Sequence, residues 1–400
     1  NEELREQEEI TYQANTPLPI KRITRVYDSD DMVYKTGETR YTYDAYGNVL
    51  TKKQAAYNST IFVGDTYTYD ANGRYLSTVT DALGRTTTYH TYNKWGKPAS
   101  ATNHLGKQTT YAYDALGRNT TTIAADGTTQ SVSYLWNPGK GVFGILKSAT
   151  GSPDELVCYD VLKREVRSGQ QRFDGNWMYV DKEYDEYGLL ERESLPFKGS
   201  AASKWNIYTY DGYDRLTKVN EASGKQTTYS YSGNSVTTTE KGISTTRTNN
   251  AVGELVKVSD SSGEAVYHYR ADGQLSDIVA PGNVVTSFEY DVYGRKTKLV
   301  DPSAGTQTYT ETNHTDGSRT TTQTDAKGLT TTVNYDAYGR VTSVNRPEFN
   351  TSYTYDAVTK KLKSEVSTNG TKKEYTSDVY GSNAGSLSYT QASKPNTLMG

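Results

Sequence analysis

Aromatic and polar residues alternate along short stretches of this chain, and each stretch ends at an aspartate followed by a glycine. Residues 41–47 read Tyr-Thr-Tyr-Asp-Ala-Tyr-Gly. Tyr41 and Tyr43 are two positions apart, so they share one face of an extended strand, while Thr42 points to the other face. Related strings occupy residues 67–74, 111–118, 288–295 and 333–340. The alternation predicts β-strands with one aromatic face.

The Tyr-Asp unit recurs from residue 43 to residue 355 at a mean spacing of about 22 residues, a period typical of repeat architectures. A second glycine turn lies midway in each unit, so turns follow one another at about 11 residues. Tyr, Thr and Val between the turns favour strands. We therefore predict an all-β fold, a long antiparallel sheet of hairpins. Because open sheets of this size curl, the sheet is expected to form a spiral or a partial hollow shell.

The aspartate and the glycine of each unit suit a tight turn. Asp44 takes the first position and Gly47 the fourth position of a type I turn, which favours these residue types. The carboxylate can accept a hydrogen bond from the backbone N–H two residues on, and glycine can take a positive φ. The predicted structural turn residues are Asp44, Gly47, Asp70, Gly73, Asp114, Gly117, Asp185, Gly188, Asp291, Gly294, Asp336 and Gly339. The predicted cross-strand aromatic residues are Tyr41, Tyr43, Tyr67, Tyr69, Tyr111, Tyr113, Tyr335, Tyr353 and Tyr355.

The repeats define the expected domain organisation. We predict an acidic leader over residues 1–34, the repeat array over residues 35–380 and a tail over residues 381–400. Two stretches, residues 135–158 and 191–206, lack the unit and are predicted to be irregular insertions.

Composition narrows the function classes. The formal net charge is −3, with no basic cluster, which argues against nucleic acid as a partner. Few aliphatic residues are present, but 36 tyrosines can bury large rings in their place. Cys158 is the only cysteine, so no disulfide forms within the chain. No apolar run is long enough for a transmembrane helix.

The pattern Tyr-x-Tyr-Asp-x-x-Gly-Arg over residues 35–380 resembles the YD repeats of the Rhs family. That family includes bacterial Rhs and wall-associated polymorphic toxins, the B and C components of Tc toxins, and animal teneurins. The resemblance implies a β-sheet that spirals into a hollow shell. In the bacterial relatives the shell encloses a toxic C-terminal domain, and in teneurins it belongs to an adhesion receptor. The Asp-Pro-x-Gly-Leu string of bacterial shells is missing, since residues 301–305 read Asp-Pro-Ser-Ala-Gly.

Five arginines follow a turn glycine, and they allow two interpretations. A row of guanidinium groups and tyrosines can stack on sugars or bases, or each arginine can pack on a neighbouring tyrosine face. The regular recurrence favours packing. These residues are Arg74, Arg85, Arg118, Arg295 and Arg340.

Other motifs give weak signals. Gly139–Gly144 matches G-x-G-x-x-G, but it follows Pro138 among β-hairpins, whereas a dinucleotide site needs a strand and a helix around it. The four histidines are too dispersed for a zinc site. The aspartates of residues 28–31 could contact a cation, yet they lack the glycine and distant glutamate of a calcium loop. Cys158 is predicted to be a buried thiol rather than a nucleophile.

The sequence therefore favours a non-enzymatic structural segment of an Rhs/YD-repeat protein, part of a β-shell that encapsulates or presents an effector domain outside this chain. We predict no catalytic residue, cofactor or metal. The expected partners are the rest of its own polypeptide or an encapsulated effector, and the expected location is secreted or on a bacterial cell surface. One alternative is a surface module that binds glycans or a protein. Another is a polysaccharide hydrolase, since a pair of carboxylates can act on glycosidic bonds.

Overall fold

The computed structural model describes residues 6–27, 33–378 and 383–390. These residues form strands and turns and contain no helix. The aspartates of residues 28–31 fall outside them, as does most of the predicted tail. This structure confirms the predicted all-β class.

The strands are short and follow one another along the whole described chain. The first twelve are β1 Glu6–Tyr12, β2 Pro19–Tyr27, β3 Val33–Tyr43, β4 Val49–Ala56, β5 Val63–Tyr69, β6 Leu76–Thr80, β7 Thr86–Tyr92, β8 Pro98–Thr102, β9 Gln108–Tyr113, β10 Asn119–Ile123, β11 Thr129–Trp136 and β12 Phe143–Ala149. The next eleven are β13 Ser152–Tyr159, β14 Glu165–Gln171, β15 Trp177–Tyr184, β16 Leu190–Ser194, β17 Trp205–Tyr210, β18 Leu216–Asn220, β19 Gln226–Ser232, β20 Ser235–Glu240, β21 Ile243–Asn249, β22 Leu255–Asp260 and β23 Gly263–Tyr269. The last eleven are β24 Leu275–Ala280, β25 Val284–Tyr290, β26 Lys296–Asp301, β27 Gly305–Asn313, β28 Arg319–Thr324, β29 Thr330–Tyr335, β30 Val341–Asn345, β31 Asn350–Tyr355, β32 Leu362–Ser367, β33 Lys372–Ser377 and β34 Asn383–Thr390.

Pairing follows the order of the chain. Within the registers that the structure defines, each strand pairs antiparallel with its sequence neighbour, as β5 does with β4 and β6. The strands β1 and β2 also join this ladder, because β2 pairs with β3. Paired strands therefore begin within the stretch predicted to be a leader. The repeat pattern predicted this connectivity, since hairpins need only short turns between neighbouring strands.

The chain divides into two compact units. Unit 1 comprises Asn1–Gln108, Tyr269–Asp277 and Val285–Gly400, and unit 2 comprises Thr109–His268 and Ile278–Val284. Few side chains in either unit are fully buried. The buried apolar residues among those described are Ile23, Ala55, Ala101, Leu156, Cys158 and Val344. With so little central core, cross-strand contacts carry much of the stability.

Hydroxyl pairs occupy the strand face opposite the tyrosines. Thr42 and Thr51 lie directly opposite each other on β3 and β4, with their side-chain oxygens 2.8 Å apart. Thr68 and Thr78 make the same contact between β5 and β6, at 2.6 Å. Each pair satisfies two hydroxyls and adds to the strand pairing.

Candidate functional site

The repeated turn is built around its aspartate. The Oδ1 atom of Asp44 accepts hydrogen bonds from the backbone N–H groups of Tyr46 and Asn48, at 2.8 and 2.9 Å. The N–H of Gly47 donates to the carbonyl of Asp44 at 3.2 Å, and Gly47 has a φ of +85°. The carboxylate thus holds the loop closed while glycine permits the backbone angle.

The other predicted turn residues occupy equivalent places. In each turn the glycine N–H donates to the aspartate carbonyl within 3.1 Å. The pairs are Gly73 with Asp70, Gly117 with Asp114, Gly188 with Asp185, Gly294 with Asp291, and Gly339 with Asp336. The midway turns use the same geometry, as Asp81 with Gly84 illustrates. Where asparagine replaces aspartate, Oδ1 of Asn93 accepts from the N–H groups of Trp95 and Lys97.

Several turn arginines bind the aspartate of their own turn and stack on a tyrosine of the next unit, whereas Arg74 and Arg295 lie over Tyr75 and Tyr293 of their own unit. The Nε atom of Arg340 donates to Oδ2 of Asp336 at 2.7 Å. The Cζ atom of Arg340 lies 4.5 Å from the ring centroid of Tyr355. We call this set, Asp336, Arg340 and Tyr355, the Asp–Arg–Tyr triad. Equivalent triads are Asp211, Arg215 and Tyr231, then Asp160, Arg164 and Tyr184, and Asp114, Arg118 and Tyr134.

The hydroxyl of the triad tyrosine Tyr355 also donates a hydrogen bond to the backbone of the preceding repeat. Tyr355 Oη donates to the backbone carbonyl of Val341 at 2.8 Å, and Val341 opens the strand that follows the preceding turn. The β31–β32 register shifts at Tyr355, so a bulge accompanies the turn. We call this contact the tyrosine latch. Further latches join Tyr43 to Pro19, Tyr69 to Val49, Tyr92 to Leu76, Tyr184 to Glu165, Tyr210 to Leu190, Tyr231 to Leu216 and Tyr290 to Leu275.

The remaining predicted aromatic residues lie on the strands but make different contacts. Tyr41 stacks on Tyr43 within β3, with centroids 6.5 Å apart. Tyr67 donates to Oδ2 of Asp65 at 3.2 Å. The Cζ atom of Arg319 lies 4.2 Å from the ring centroid of Tyr335. Tyr111 and Tyr113 lie on β9, and Tyr353 lies on β31.

A buried ion cluster in unit 2 includes a residue of the first stretch predicted to be an insertion, residues 135–158. Asp181 is 3 % exposed and accepts from Arg167 through both carboxylate oxygens, at 2.6 and 2.9 Å. Lys140, the second residue of the glycine-rich loop Gly139–Gly144, reaches the same carboxylate at 3.0 Å. Burial alone would raise the pKa of Asp181, but the hydrogen bonds and charges of Arg167 and Lys140 together lower it. We call Lys140, Arg167 and Asp181 the insertion clip.

The insertion clip also contacts the second stretch predicted to be an insertion, residues 191–206. Arg167 donates to the carbonyl of Ser200 at 3.3 Å and lies over the rings of Tyr179 and Phe197. Tyr179 and Phe197 exchange two backbone hydrogen bonds of 2.9 Å. Both predicted insertions therefore meet at the insertion clip, the first through the bond of Lys140 to Asp181 and the second through the bond of Arg167 to Ser200.

The loop Gly139–Gly144 lacks the surroundings of a nucleotide site. It leads into the strand β12, not into a helix, and its lysine belongs to the insertion clip. Cys158 is fully buried, and burial raises the pKa of its thiol. His90 and His314 contact the hydroxyls of Thr102 and Thr320.

No group of side chains in the described part of the chain has the arrangement of a metal site. Among the same residues, no helix is long and apolar enough to cross a membrane.

Two distant parts of unit 1 meet at a contact that we call the seam. The N–H of Thr60 donates to the carbonyl of Thr315 at 2.9 Å, and Nδ2 of Asn58 donates to the carbonyl of Asn313 at 3.2 Å. Beside these bonds, the rings of Tyr57 and Tyr293 lie 5.3 Å apart. Burial raises the pKa of Tyr293, and the neighbouring hydroxyl of Tyr57 raises it further. The seam thus joins segments 255 residues apart in sequence.

A cleft of about 440 Å³ lies beside the seam, and we call it the seam cleft. Its charged lining residues are Arg295, Glu311, Arg319 and Asp336. Glu311 accepts from Arg295 at 2.7 Å and lies 3.5 Å from a nitrogen of Arg319. Tyr57, Tyr293, Tyr335 and Asn313 also line it.

Known proteins share the repeat that builds these turns. The family model described as RHS Repeat matches residues 69–103, 92–129 and 269–306. These matches cover several of the turns described above, including those of Asp70, Asp81, Asp114 and Asp291. The repeat predicted from the sequence is therefore the RHS repeat.

Two curated proteins are similar to part of the chain. The tRNA3(Ser)-specific nuclease WapA of Bacillus spizizenii is 26 % identical over 217 residues, which is 52 % of this chain. The tRNA nuclease WapA of Bacillus subtilis matches with the same identity and extent. The chain spans only 8 % of the length of either relative.

A solved structure shares the fold of this chain. The crystal structure of TcdB2-TccC3 aligns with a TM-score of 0.57 at 14 % identity. The alignment covers 93 % of this chain and 33 % of that one. At this identity the likeness concerns the fold alone.

Proposed function

We propose that this Rhs/YD-repeat chain is a non-enzymatic wall segment of a larger toxin-like protein, in which the β-sheet surrounds or presents an effector domain outside these 400 residues. The observation that carries the proposal is the tyrosine latch. In each latch and each Asp–Arg–Tyr triad, the functional groups bind neighbouring repeats to each other. Carboxylates, guanidinium groups and phenols with intramolecular partners suit a wall better than an active site.

The relatives support the same proposal. Both WapA proteins are named as tRNA nucleases, and this chain corresponds to a small fraction of their length. We infer that an activity of the whole protein resides in sequence beyond this chain, and that the expected partner is that effector or the rest of the same polypeptide. Because both relatives are bacterial, we also propose a bacterial protein that is secreted or displayed at the cell surface.

Limited proteolysis of the full-length gene product tests the proposal that this chain forms a protective wall. Replacing three latch tyrosines, Tyr184, Tyr210 and Tyr231, with phenylalanine should loosen the sheet, so that sequence outside this chain is cleaved faster under limiting protease. The matched control carries the same change to phenylalanine at three exposed turn tyrosines. These are Tyr46, Tyr187 and Tyr213, which are 67 %, 79 % and 82 % exposed. Equal cleavage of the outside sequence in both triple variants and the unchanged protein would contradict a protective wall.

A separate assay tests the absence of catalysis. The purified 400-residue chain is incubated with tRNA and with neutral and acidic polysaccharides. We expect no turnover. Hydrolysis that is lost on changing a single turn aspartate to asparagine would overturn the structural role.

A further inference from the structure

An apolar pocket of about 420 Å³ lies in unit 2, beside the glycine-rich loop Gly139–Gly144. Its volume falls within the range of small-molecule sites, about 300 to 1,000 Å³. We call it the aromatic pocket. Its apolar lining residues are Trp136, Val142, Phe143, Ile145, Tyr159 and Val161.

Three neighbouring strands place the rings of the aromatic pocket in one row. Trp136 on β11 lies directly opposite Phe143 on β12, and Phe143 lies opposite Tyr159 on β13. In each pair the ring centroids are 5.8 Å apart. The backbone at Gly141 approaches closely here, because a Cβ atom would lie 2.3 Å from the carbonyl oxygen of Tyr159. The sheet and the loop together therefore fix an aromatic surface.

Much of this apolar surface is open to solvent. Trp136 is 80 % exposed, and Val161 and Leu162 of the adjoining turn are 77 % and 68 % exposed. Contiguous exposed apolar surface of this kind marks binding sites. A ligand that covers it gains hydrophobic free energy in proportion to the apolar area removed from water.

Lys163 lines the aromatic pocket and takes the place that glycine has in most of the repeated turns. Its N–H donates to the carbonyl of Asp160 at 3.1 Å, as the turn glycines donate to their aspartates, and its φ is +64°. A side chain in this left-handed conformation is strained. Strain of this kind clusters at functional sites. The exchange of glycine for lysine gives the pocket a cation.

The charge of Lys163 is not balanced within the described part of the chain. Among the described lining residues, Asp160 has the only carboxylate, and it is paired with Arg164 at 2.8 Å. Within the described ranges, no carboxylate forms an ion pair with Lys163. The aromatic pocket therefore combines an apolar surface with one exposed positive charge.

We propose that the aromatic pocket binds a small carboxylic acid with an aromatic body, in its ionised form. The ring of the ligand packs on the row of Trp136, Phe143 and Tyr159. Its carboxylate pairs with the ammonium group of Lys163. The charge of that group favours an anion over a neutral or cationic molecule of the same shape. This binding goes beyond the proposed wall function, because a wall needs no ligand.

Three probes that share one ring system test the preference for an anion. Calorimetry on the full chain measures the affinities of naphthoate, naphthamide and naphthylmethylammonium. We expect naphthoate to bind about fivefold more tightly than naphthamide, the upper range for one exposed ion pair, and the ammonium compound to bind most weakly. High salt should reduce the preference. The proposal is overturned if naphthoate does not bind or if the three affinities are equal.

Lys163→Gly separates ligand binding from folding. Glycine takes the left-handed backbone without strain, so this variant should be at least as stable in urea as the unchanged chain. It should lose the preference for naphthoate over naphthamide. The matched control is Lys241→Gly, because Lys241 also has a positive φ, +49°, in a turn of unit 2 outside the pocket. The control should keep the preference, and a preference that survives in Lys163→Gly would contradict the proposed ion pair.

Trp136→Ala tests the aromatic row. Because Trp136 is largely exposed, its loss should leave the chain folded, which urea unfolding checks. We expect the affinity for naphthoate to fall about tenfold, as for the loss of a favourable ring contact. Trp95→Ala, at an exposed tryptophan of unit 1, is the control and should bind naphthoate like the unchanged chain. Equal affinities of the two tryptophan variants would overturn the site.

Discussion

The hydroxyl of Tyr355 lies 2.8 Å from the carbonyl of Val341, fourteen residues earlier in the chain. Tyr355→Phe keeps the ring but leaves that carbonyl without its donor. We expect a loss of about 1 kcal/mol in the free energy of unfolding, the usual net value of one hydrogen bond. Urea unfolding measures it. Tyr187→Phe, at an exposed turn position, is the control and should have no effect. Equal midpoints for both variants would show that the latch adds nothing.

The guanidinium of Arg340 contacts both Asp336 and Tyr355. Arg340→Lys keeps the charge but loses the planar group that stacks and pairs at once. We expect a loss of about 0.5 to 1 kcal/mol, since partly exposed ion pairs and stacked cations each contribute little. Because the pair is screened by salt, the loss should shrink at high ionic strength. A loss that is unchanged by salt would assign the effect to stacking alone.

Gly141 and Gly151 have similar backbone angles but different amounts of free space around the position of a Cβ atom. Their φ angles are +73° and +76°, but a Cβ on Gly141 would lie 2.3 Å from the carbonyl oxygen of Tyr159, whereas one on Gly151 would meet nothing within 4 Å. Gly151→Ala should cost about 1 kcal/mol for the left-handed backbone alone. Gly141→Ala should cost about 3 kcal/mol or more, because backbone must move. Thermal unfolding of the two variants compares them, and equal costs would contradict the close approach.

The insertion clip predicts a dependence of stability on acid. The pKa of Asp181 is lowered in the folded chain. Its ionised carboxylate therefore stabilises the fold fully at pH values above 3.8, the ordinary pKa of aspartate. That contribution is lost as pH falls from there through the lower folded pKa. Asp181→Asn should cost about 3 kcal/mol at neutral pH, because Arg167 and Lys140 lose their counter-charge.

A comparison across pH isolates this effect from the other carboxylates. The gap between the unchanged chain and Asp181→Asn in urea should narrow below pH 3.8. Asp154→Asn, at an aspartate of unit 2 outside the clip, is the control and should show no such narrowing. A gap that stays constant as the solution is acidified would rule out the charge of Asp181 as its source.

The seam should open more readily than the strand ladder, because it rests on few bonds. Asn58 has a φ of +63°, so Asn58→Gly accepts the same backbone and removes only the amide that donates to Asn313. We expect the Thr60 amide to exchange faster in this variant, while amides of β6 and β7 keep their rates. Hydrogen exchange with mass spectrometry follows both. Unchanged exchange at Thr60 would show that Asn58 does not hold the seam.

Local features of the fold follow from sequence, and long-range ones do not. The spacing of Asp44 and Gly47 predicts a turn, because their hydrogen bonds involve only neighbouring residues. The tyrosine latch does leave a signal in the composition of the chain. The chain has 36 tyrosines and only 6 phenylalanines, and a purely apolar contact would not need the hydroxyl.

The seam and the insertion clip had no comparable signal. A period of about 22 residues states what each repeat looks like, but it does not state that Asn58 meets Asn313. Lys140 lies in a stretch that lacks the repeat unit, and Asp181 lies in an ordinary repeat strand. No sequence pattern therefore relates the two residues. These contacts depend on the path of the whole unit, which the alternation of residues does not encode.

The tyrosine latch has a direction, and it bears on how such a chain is made. Every latch hydroxyl binds a carbonyl that lies earlier in the sequence, and the strands pair with their neighbours. A ribosome releases the acceptor before the donor, so each newly synthesised hairpin meets a site that is already in place. The array can therefore fold during translation, one repeat at a time, without waiting for its C-terminal end.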